Sequence, residues 1–176
     1  RELARLRHIL PDVIACPHTE IALAAGAPLW VDVWAFEEHL ADLRAHAHPQ
    51  GAWCAACHEH LSAARSLYAG DLLAGYSLSD SPEFEEWHFF YQESLRSDLL
   101  DVLSLLAAME MAGGNLAEAI APLRARLAID PLHEESHRRL IWIYAHTGQR
   151  AAALRQFGEC KAALTRDLGI EPAPET

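Results

Sequence analysis

The chain has 176 residues, of which 51% are hydrophobic and 22% are charged. This length and composition allow a sizeable buried core and exclude a disordered, collagen-like or low-complexity protein. Charged residues interrupt every apolar run before it reaches the roughly 18 residues that a membrane span requires, so we expect no membrane partner. The net charge of −11 makes the body of the chain a poor surface for DNA, because proteins neutralise DNA phosphates with clustered Lys and Arg.

The N-terminal residue and the cysteines suggest a cellular context. The chain opens on Arg1 rather than Met, and no signal-peptide-like apolar segment follows, which predicts an internal piece of a longer protein. The four cysteines (Cys16, Cys54, Cys57 and Cys160) are too few and too unevenly spaced for a disulfide scaffold. We therefore predict a reducing, cytoplasmic location.

The first 31 residues differ in pattern from the remainder. Residues 1–10 repeat leucine at helical spacing, and Pro11 ends this predicted helix. Residues 12–31 contain two or three short extended pieces, of which residues 29–31 form the last, with a turn around Gly26. Short extended pieces separated by turn residues predict a β-ribbon.

From residue 32 onward the pattern is helical. Asp32 is predicted to cap a helix that runs to about His46, and a second helix is predicted from Cys54 to Tyr68. Pro82 is typical of the first turn of a third, long helix. Apolar residues recur along this third helix at spacings of three and four and are predicted to face the core: Trp87, Tyr91, Leu95, Leu99, Val102, Leu106 and Met109. The four aromatic residues at positions 87 and 89–91 cover more than one helix face, so one or two of them should lie at a second interface.

The last third contains an internal repeat. Residues 114–119 align with residues 148–153 at an offset of 34 residues, which is the period of tetratricopeptide-type helical pairs. Asn115 and Glu118 match a capping box, and we expect them to begin a helix. The predicted fold class is all-α, a tetratricopeptide-like helical array with a short N-terminal β-ribbon.

Four separated phrases occur in order along the chain: LYAGDLLAGY (67–76), DSPEFEEW (80–87), DPLHEESHR (130–138) and DLGIEP (167–172). Together they resemble the bacterial transcriptional activator domain, over about residues 32–176. The resemblance implies a tetratricopeptide-like module that serves interaction or activation and follows a winged-helix DNA-binding domain in transcription regulators.

The same resemblance offers an interpretation of residues 1–31. They look like the C-terminal remnant of a winged-helix domain, with the end of the recognition helix followed by the wing, and residues 32–176 form the activator domain. Arg1, Arg5 and Arg7 would then lie near DNA in the intact protein. The alternative is an ordinary capping element with exposed arginines. Because most of the winged helix is missing under either interpretation, we expect no specific DNA binding by this chain alone.

A cysteine–histidine cluster is the sharpest chemical signal. His46 and His48 precede the Cys54-x-x-Cys57 pair by a short loop. Zinc favours four N or S ligands in a tetrahedron, and a C-x-x-C pair supplies two thiolates from one turn. We predict that these four residues bind one structural zinc ion and join two helices.

Other interpretations of the cluster remain open. His58 or His60 could replace one of the predicted histidine ligands. Cys57 followed by His58 completes a C-x-x-C-H sequence, which is the attachment pattern of c-type haem, although the sequence offers no other sign of a haem protein. The cysteines could also simply pack on a helix, with the histidines in solvent.

These observations predict the interaction or regulatory module of a bacterial transcription regulator. Its partner would be another domain of the same chain, a second protomer in a homodimer, or the transcription machinery, and DNA would be reached only through the upstream winged helix. The sequence identifies no partner-binding residue. It contains no catalytic signature, and we expect no enzyme. The alternative is a stand-alone tetratricopeptide scaffold unrelated to transcription.

Overall fold

The computed structural model describes residues 2–17, 21–46 and 53–176. Their secondary-structure elements, in chain order, are α1 (Glu2–Ile9), β1 (Ile14–Ala15), β2 (Ala22–Leu23), α2 (Asp32–Ala45), α3 (Ala55–Leu67), α4 (Pro82–Ala112), α5 (Leu116–Ile129), α6 (Glu134–His146) and α7 (Arg150–Leu168). The predicted helical array with a small ribbon is confirmed. Within this described part of the chain, no helix is both long and apolar enough to cross a bilayer.

The N-terminal segment is a short helix followed by a two-stranded ribbon. Strands β1 and β2 are antiparallel, with Ile14 opposite Leu23. Of the two or three extended pieces predicted, the last, at residues 29–31, forms no strand. Among the described residues before Asp32, no side chain is buried, so this segment contributes nothing to either hydrophobic core.

The first core lies between α2, α3 and α4. Its fully buried members come from all three helices: Phe36, Leu40, Leu61, Ala64, Leu95, Val102 and Leu106. Polar side chains also join α2 to α4, because the Tyr91 hydroxyl donates to Glu37 at 2.7 Å and Arg44 donates to Asp98 at 3.0 Å. The two bonds follow the same order along both helices, so α2 and α4 run in the same direction.

Two local expectations in this half are wrong. Helix α2 begins at Asp32 with Val31 as its N-cap, and the Asp32 carboxylate accepts from the N–H of Val33, one residue away from the predicted capping role. Trp87 was expected in the core, but 48% of it is exposed. Its ring packs instead against the rings of Phe84 and Tyr91 on the surface of α4.

The second core joins the C-terminal part of α4 to α5, α6 and α7. Gly114 and Gly148 precede α5 and α7 in the left-handed conformation, with φ of 79° and 76°, which glycine adopts without steric cost. Ala119 and Ala153, at the same repeat position, are both buried in this core. The 34-residue repeat thus corresponds to two equivalent turns and two equivalent helices.

The predicted capping box at α5 is wrong. Asn115 is the N-cap residue but makes no side-chain capping bond. Its amide instead donates to Glu110 of α4 at 3.0 Å. A polar partner on the preceding helix therefore replaces the local bond that the sequence pattern suggested.

Candidate metal centre and exposed aromatic face

Three potential metal ligands meet where the α2–α3 pair closes. His46 is the C-cap residue of α2. Cys54 is the N-cap residue of α3, and Cys57 lies in the first turn of that helix. Because α2 and α3 pack against each other as neighbours in sequence, the end of one helix and the start of the next bring these side chains together.

The distances within the cluster are close to those of a metal site. The sulfur atoms of Cys54 and Cys57 are 3.8 Å apart. His46 places its Nε2 3.9 Å from the sulfur of Cys54 and its Nδ1 3.9 Å from the sulfur of Cys57. One donor atom from each residue lies within 4.8 Å of the other two. Among the described residues, this is the one group of three or more such side chains that meets this distance.

The two thiols differ in their electrostatic environment. Backbone N–H groups of Cys57 and Ala56, at the start of α3, hold the pKa of the Cys54 thiol below its ordinary value. Burial raises the pKa of the Cys57 thiol. Partly exposed Cys54 is therefore the thiol that ionises first, as expected at a helix N-terminus.

The two alternative histidine ligands, His58 and His60, lie outside this cluster. His58 lies 2.7 Å from a carboxylate oxygen of Glu110, and the ring of His60 lies 3.1 Å from that of His39. Neither contributes to the three-residue group. His48, the fourth predicted ligand, lies outside the described residues and stays a prediction.

The predicted DNA-contacting residues lie on α1. Arg5 and Arg7 are both exposed there, whereas Arg1 lies outside the described residues. Their exposure is compatible with the wing-remnant interpretation and equally with a capping element, and their role stays a prediction.

An exposed aromatic pair on α4 is a candidate partner surface. Phe89 is 60% exposed and Phe90 is 62% exposed, and their rings contact each other edge to face at 5.5 Å. We call this pair the Phe89–Phe90 face. The sequence signal for it was the run of adjacent aromatics, which predicted a second interface without showing which rings would be left uncovered.

Phe89, one side of the Phe89–Phe90 face, continues a helix-packing seam. Phe89 precedes Ala107 by 18 residues, which is five full turns, so the two side chains share one face of α4. Ala107 is buried in the second core. Helix α5 has 14 residues against 31 in α4, and Arg126 in its last turn donates to the carbonyl of Leu100. The seam that α5 covers thus extends beyond α5 toward Phe89.

The fold and its repeat define a class of protein, the tetratricopeptide-like helical arrays. A protein-family model for the bacterial transcriptional activator domain matches residues 31–176. The chain belongs to this family, and its resemblance to the family is thereby confirmed.

Two curated relatives are regulatory proteins of Streptomyces. The regulatory protein AfsR of Streptomyces coelicolor is 28% identical over 176 residues, covering 97% of this chain and 16% of the relative. The regulatory protein AfsR of Streptomyces griseus is 29% identical over 113 residues, covering 62% of this chain and 10% of the relative. The chain therefore spans less than a fifth of the length of either relative.

Proposed function

We propose that this chain is the interaction module of a cytoplasmic bacterial transcription regulator. Its stacked helix pairs would bind a protein partner or a neighbouring domain and thereby control an upstream winged-helix DNA-binding domain, without catalysing a reaction. Family membership and the two regulatory relatives support the regulatory role and favour it over a stand-alone scaffold.

The Phe89–Phe90 face is the observation that carries the interaction role. Large apolar side chains grouped on a protein surface are typical of an interaction site, and aromatic residues contribute most of the binding energy in many interfaces. Here the Phe89 ring extends a seam along which α4 already packs against α5, and the Phe90 ring contacts Phe89 from the adjacent face of α4. A partner segment with an apolar helix face could therefore continue the same packing.

The test uses the complete regulator carrying Phe89→Ser together with Phe90→Ser. We expect transcription from its target promoter to fall at least tenfold in a purified assay. The free energy of unfolding should change by less than about 0.5 kcal/mol, because both rings are exposed. Leu154→Ser is the matched control, since Leu154 is 63% exposed and belongs to α7 rather than to α4.

A gel-shift measurement separates the two kinds of partner. If DNA affinity falls with transcription, the face contacts the neighbouring DNA-binding domain. If DNA affinity is unchanged while transcription falls, the face contacts a separate protein. Wild-type transcription by the double variant would contradict the proposal.

A further inference from the structure

In the Cys54–Cys57–His46 cluster the two sulfurs have the spacing of a zinc site, and His46 lies beside both of them. With Zn–S bonds of about 2.3 Å and Zn–N bonds of about 2.0–2.1 Å, a tetrahedron places two sulfurs about 3.8 Å apart and a sulfur and a nitrogen about 3.6 Å apart. The observed separations are 3.8 Å between the sulfurs, 3.9 Å from the Cys54 sulfur to Nε2 of His46 and 3.9 Å from the Cys57 sulfur to Nδ1 of His46. A single nitrogen of His46 lies within 4.8 Å of both sulfurs, so a rotation of the His46 side chain would bring that nitrogen to the distance that a shared ion requires.

The chemistry of the three donor groups favours zinc. Two thiols and one imidazole are soft and borderline ligands, which suit zinc and not the oxygen-preferring Mg²⁺ or Ca²⁺. The two sulfurs come from one helical turn and the imidazole comes from the preceding helix. We propose that His46, Cys54 and Cys57 bind one zinc ion.

The position of the site indicates a structural role. The ion would join the C-cap residue of α2 to the N-cap residue and first turn of α3, and thus link the two ends of the connection between these helices. The three donors are held together only when the two helices have packed, so we expect the folded chain to bind the ion more tightly than the unfolded chain does. Metal that binds the folded state more tightly stabilises that state by mass action.

The site is independent of the Phe89–Phe90 face, which lies on α4, a helix that provides none of the three ligands. Failure of the partner experiment would therefore leave the zinc proposal intact, and the converse also holds. Each proposal has its own variants and its own readout.

The first test is elemental analysis of the whole chain, purified under reducing conditions without a metal-affinity step. We expect one zinc per chain. Cys54→Ser should lower the zinc affinity at least a hundredfold in competition with a chromophoric chelator. This variant should still fold, because serine is a preferred N-cap residue and Cys54 occupies the N-cap of α3.

Matched variants separate the site from incidental metal binding. Cys16→Ser removes a half-buried cysteine outside the cluster, and His58→Gln removes a histidine that contacts Glu110 instead. Both should keep one zinc per chain, whereas His46→Gln should lose affinity as Cys54→Ser does. Zinc content that is unaffected by Cys54→Ser and His46→Gln would overturn the proposal.

Two spectroscopic readouts do not depend on activity. Cobalt substituted into the site should give the intense visible bands of tetrahedral coordination together with a thiolate charge-transfer band. X-ray absorption at the zinc edge should show two sulfur ligands and at least one imidazole nitrogen. A metal-free protein with silent spectra, or one with the Soret band of haem, would overturn the assignment.

Discussion

The α2–α3 and α6–α7 pairs are both antiparallel helical hairpins, but the connections between their helices differ in length. Helices α6 and α7 are joined by three residues, and Gly148 lets the N–H of Gln149 return to the carbonyl of Tyr144 at 2.7 Å. Helices α2 and α3 are joined by residues 46–54, and potential metal ligands lie at both ends of that connection. A short turn can be closed by the backbone alone, whereas a longer connection costs more entropy and gains more from a side-chain clip.

The two hairpins also differ in their interiors. The α6–α7 pair contains a buried polar contact, in which a ring nitrogen of His137 lies 2.8 Å from the amide of Gln156. The α2–α3 pair contributes an apolar core in which the Phe36 ring meets Tyr68 edge to face. Both hairpins have an apolar core, and α2 and α3 also share a polar contact between His39 and His60. The difference is that the His137–Gln156 contact is buried, whereas the His39–His60 contact is only partly buried.

The largest expected effect comes from removing a core leucine in either hairpin. Leu61 in α3 and Leu140 in α6 are fully buried. Leu61→Ala and Leu140→Ala should each lower the free energy of unfolding by about 3 kcal/mol, since each leaves a cavity in a packed core. Urea unfolding measures both, and exposed Leu154→Ala should cost less than about 0.5 kcal/mol. If either buried variant lowers the free energy of unfolding as little as Leu154→Ala does, the core is wrongly assigned at that site.

Metal removal should distinguish the hairpins most directly. If zinc closes the α2–α3 connection, a chelator should raise amide hydrogen exchange at the end of α2 and the start of α3 at least tenfold. Exchange across the α6–α7 turn should stay unchanged, because no member of the cluster lies there. An equal rise of hydrogen exchange in both hairpins would contradict a zinc ion that acts only at the α2–α3 connection.

A pair of glycine substitutions tests the backbone closure of α6–α7. Gly148 has a φ of 76°, which strains any residue with a Cβ. Gly148→Ala should therefore lower the free energy of unfolding by about 1 kcal/mol. Gly158 lies within α7 with open space around it, so Gly158→Ala should raise stability by up to about 1 kcal/mol. Effects of the same sign in thermal unfolding would argue against the turn as described.

The smallest effect concerns the C-terminal segment that packs on α6. A carboxylate oxygen of Glu134 accepts from the Thr176 hydroxyl at 2.6 Å and from the Ala173 N–H at 2.7 Å. Both bonds stabilise the ionised carboxylate and lower the pKa of Glu134 below 4.5. The bond from Thr176 has the larger effect on this pKa. The unfolded chain thus binds the proton more tightly, and this contribution to stability is present above pH 4.5 and is lost as the pH falls through the folded-state pKa.

Glu134→Gln should cost about 1 kcal/mol or less at neutral pH and flatten the acid side of the stability profile. Thermal unfolding between about pH 6 and about pH 3 measures this range. Glu171→Gln is the matched control, because Glu171 forms an exposed ion pair with Lys161 that should contribute little. An unchanged acid slope in Glu134→Gln would show that the segment is held by other contacts.

Periodicity predicted the helices, and local side-chain chemistry predicted their caps less well. The stripe from Leu95 to Leu106 is buried as expected, because a spacing of three and four places these residues on one face. The cap of α6 is His133, whose ring accepts from the Ser136 N–H, and Asn115 bonds to Glu110 in place of its own helix. Such caps depend on which polar groups the tertiary fold brings near.

The candidate metal site was partly visible in the sequence. The C-x-x-C pair and His46 come together as predicted, since one helical turn and a nearby loop end determine their spacing. His58 and His60 stayed open in the sequence as alternative ligands, and only the packing of α3 against α4 and α2 shows that they have other partners.

Amino-acid order alone determined the helical class, the 34-residue repeat and the family phrases, because each depends on short-range spacing along one chain. The tertiary structure decided which apolar side chains stay uncovered. Phe89 and Phe90 are as apolar as any core residue, yet both are exposed. Phe89 lies on the α4 face that α5 covers, but α5 has 14 residues against 31 in α4 and leaves Phe89 without a packed helix from the described chain. Which apolar side chains are covered therefore depends on how far each helix extends along its neighbour, and this is a property of the tertiary structure.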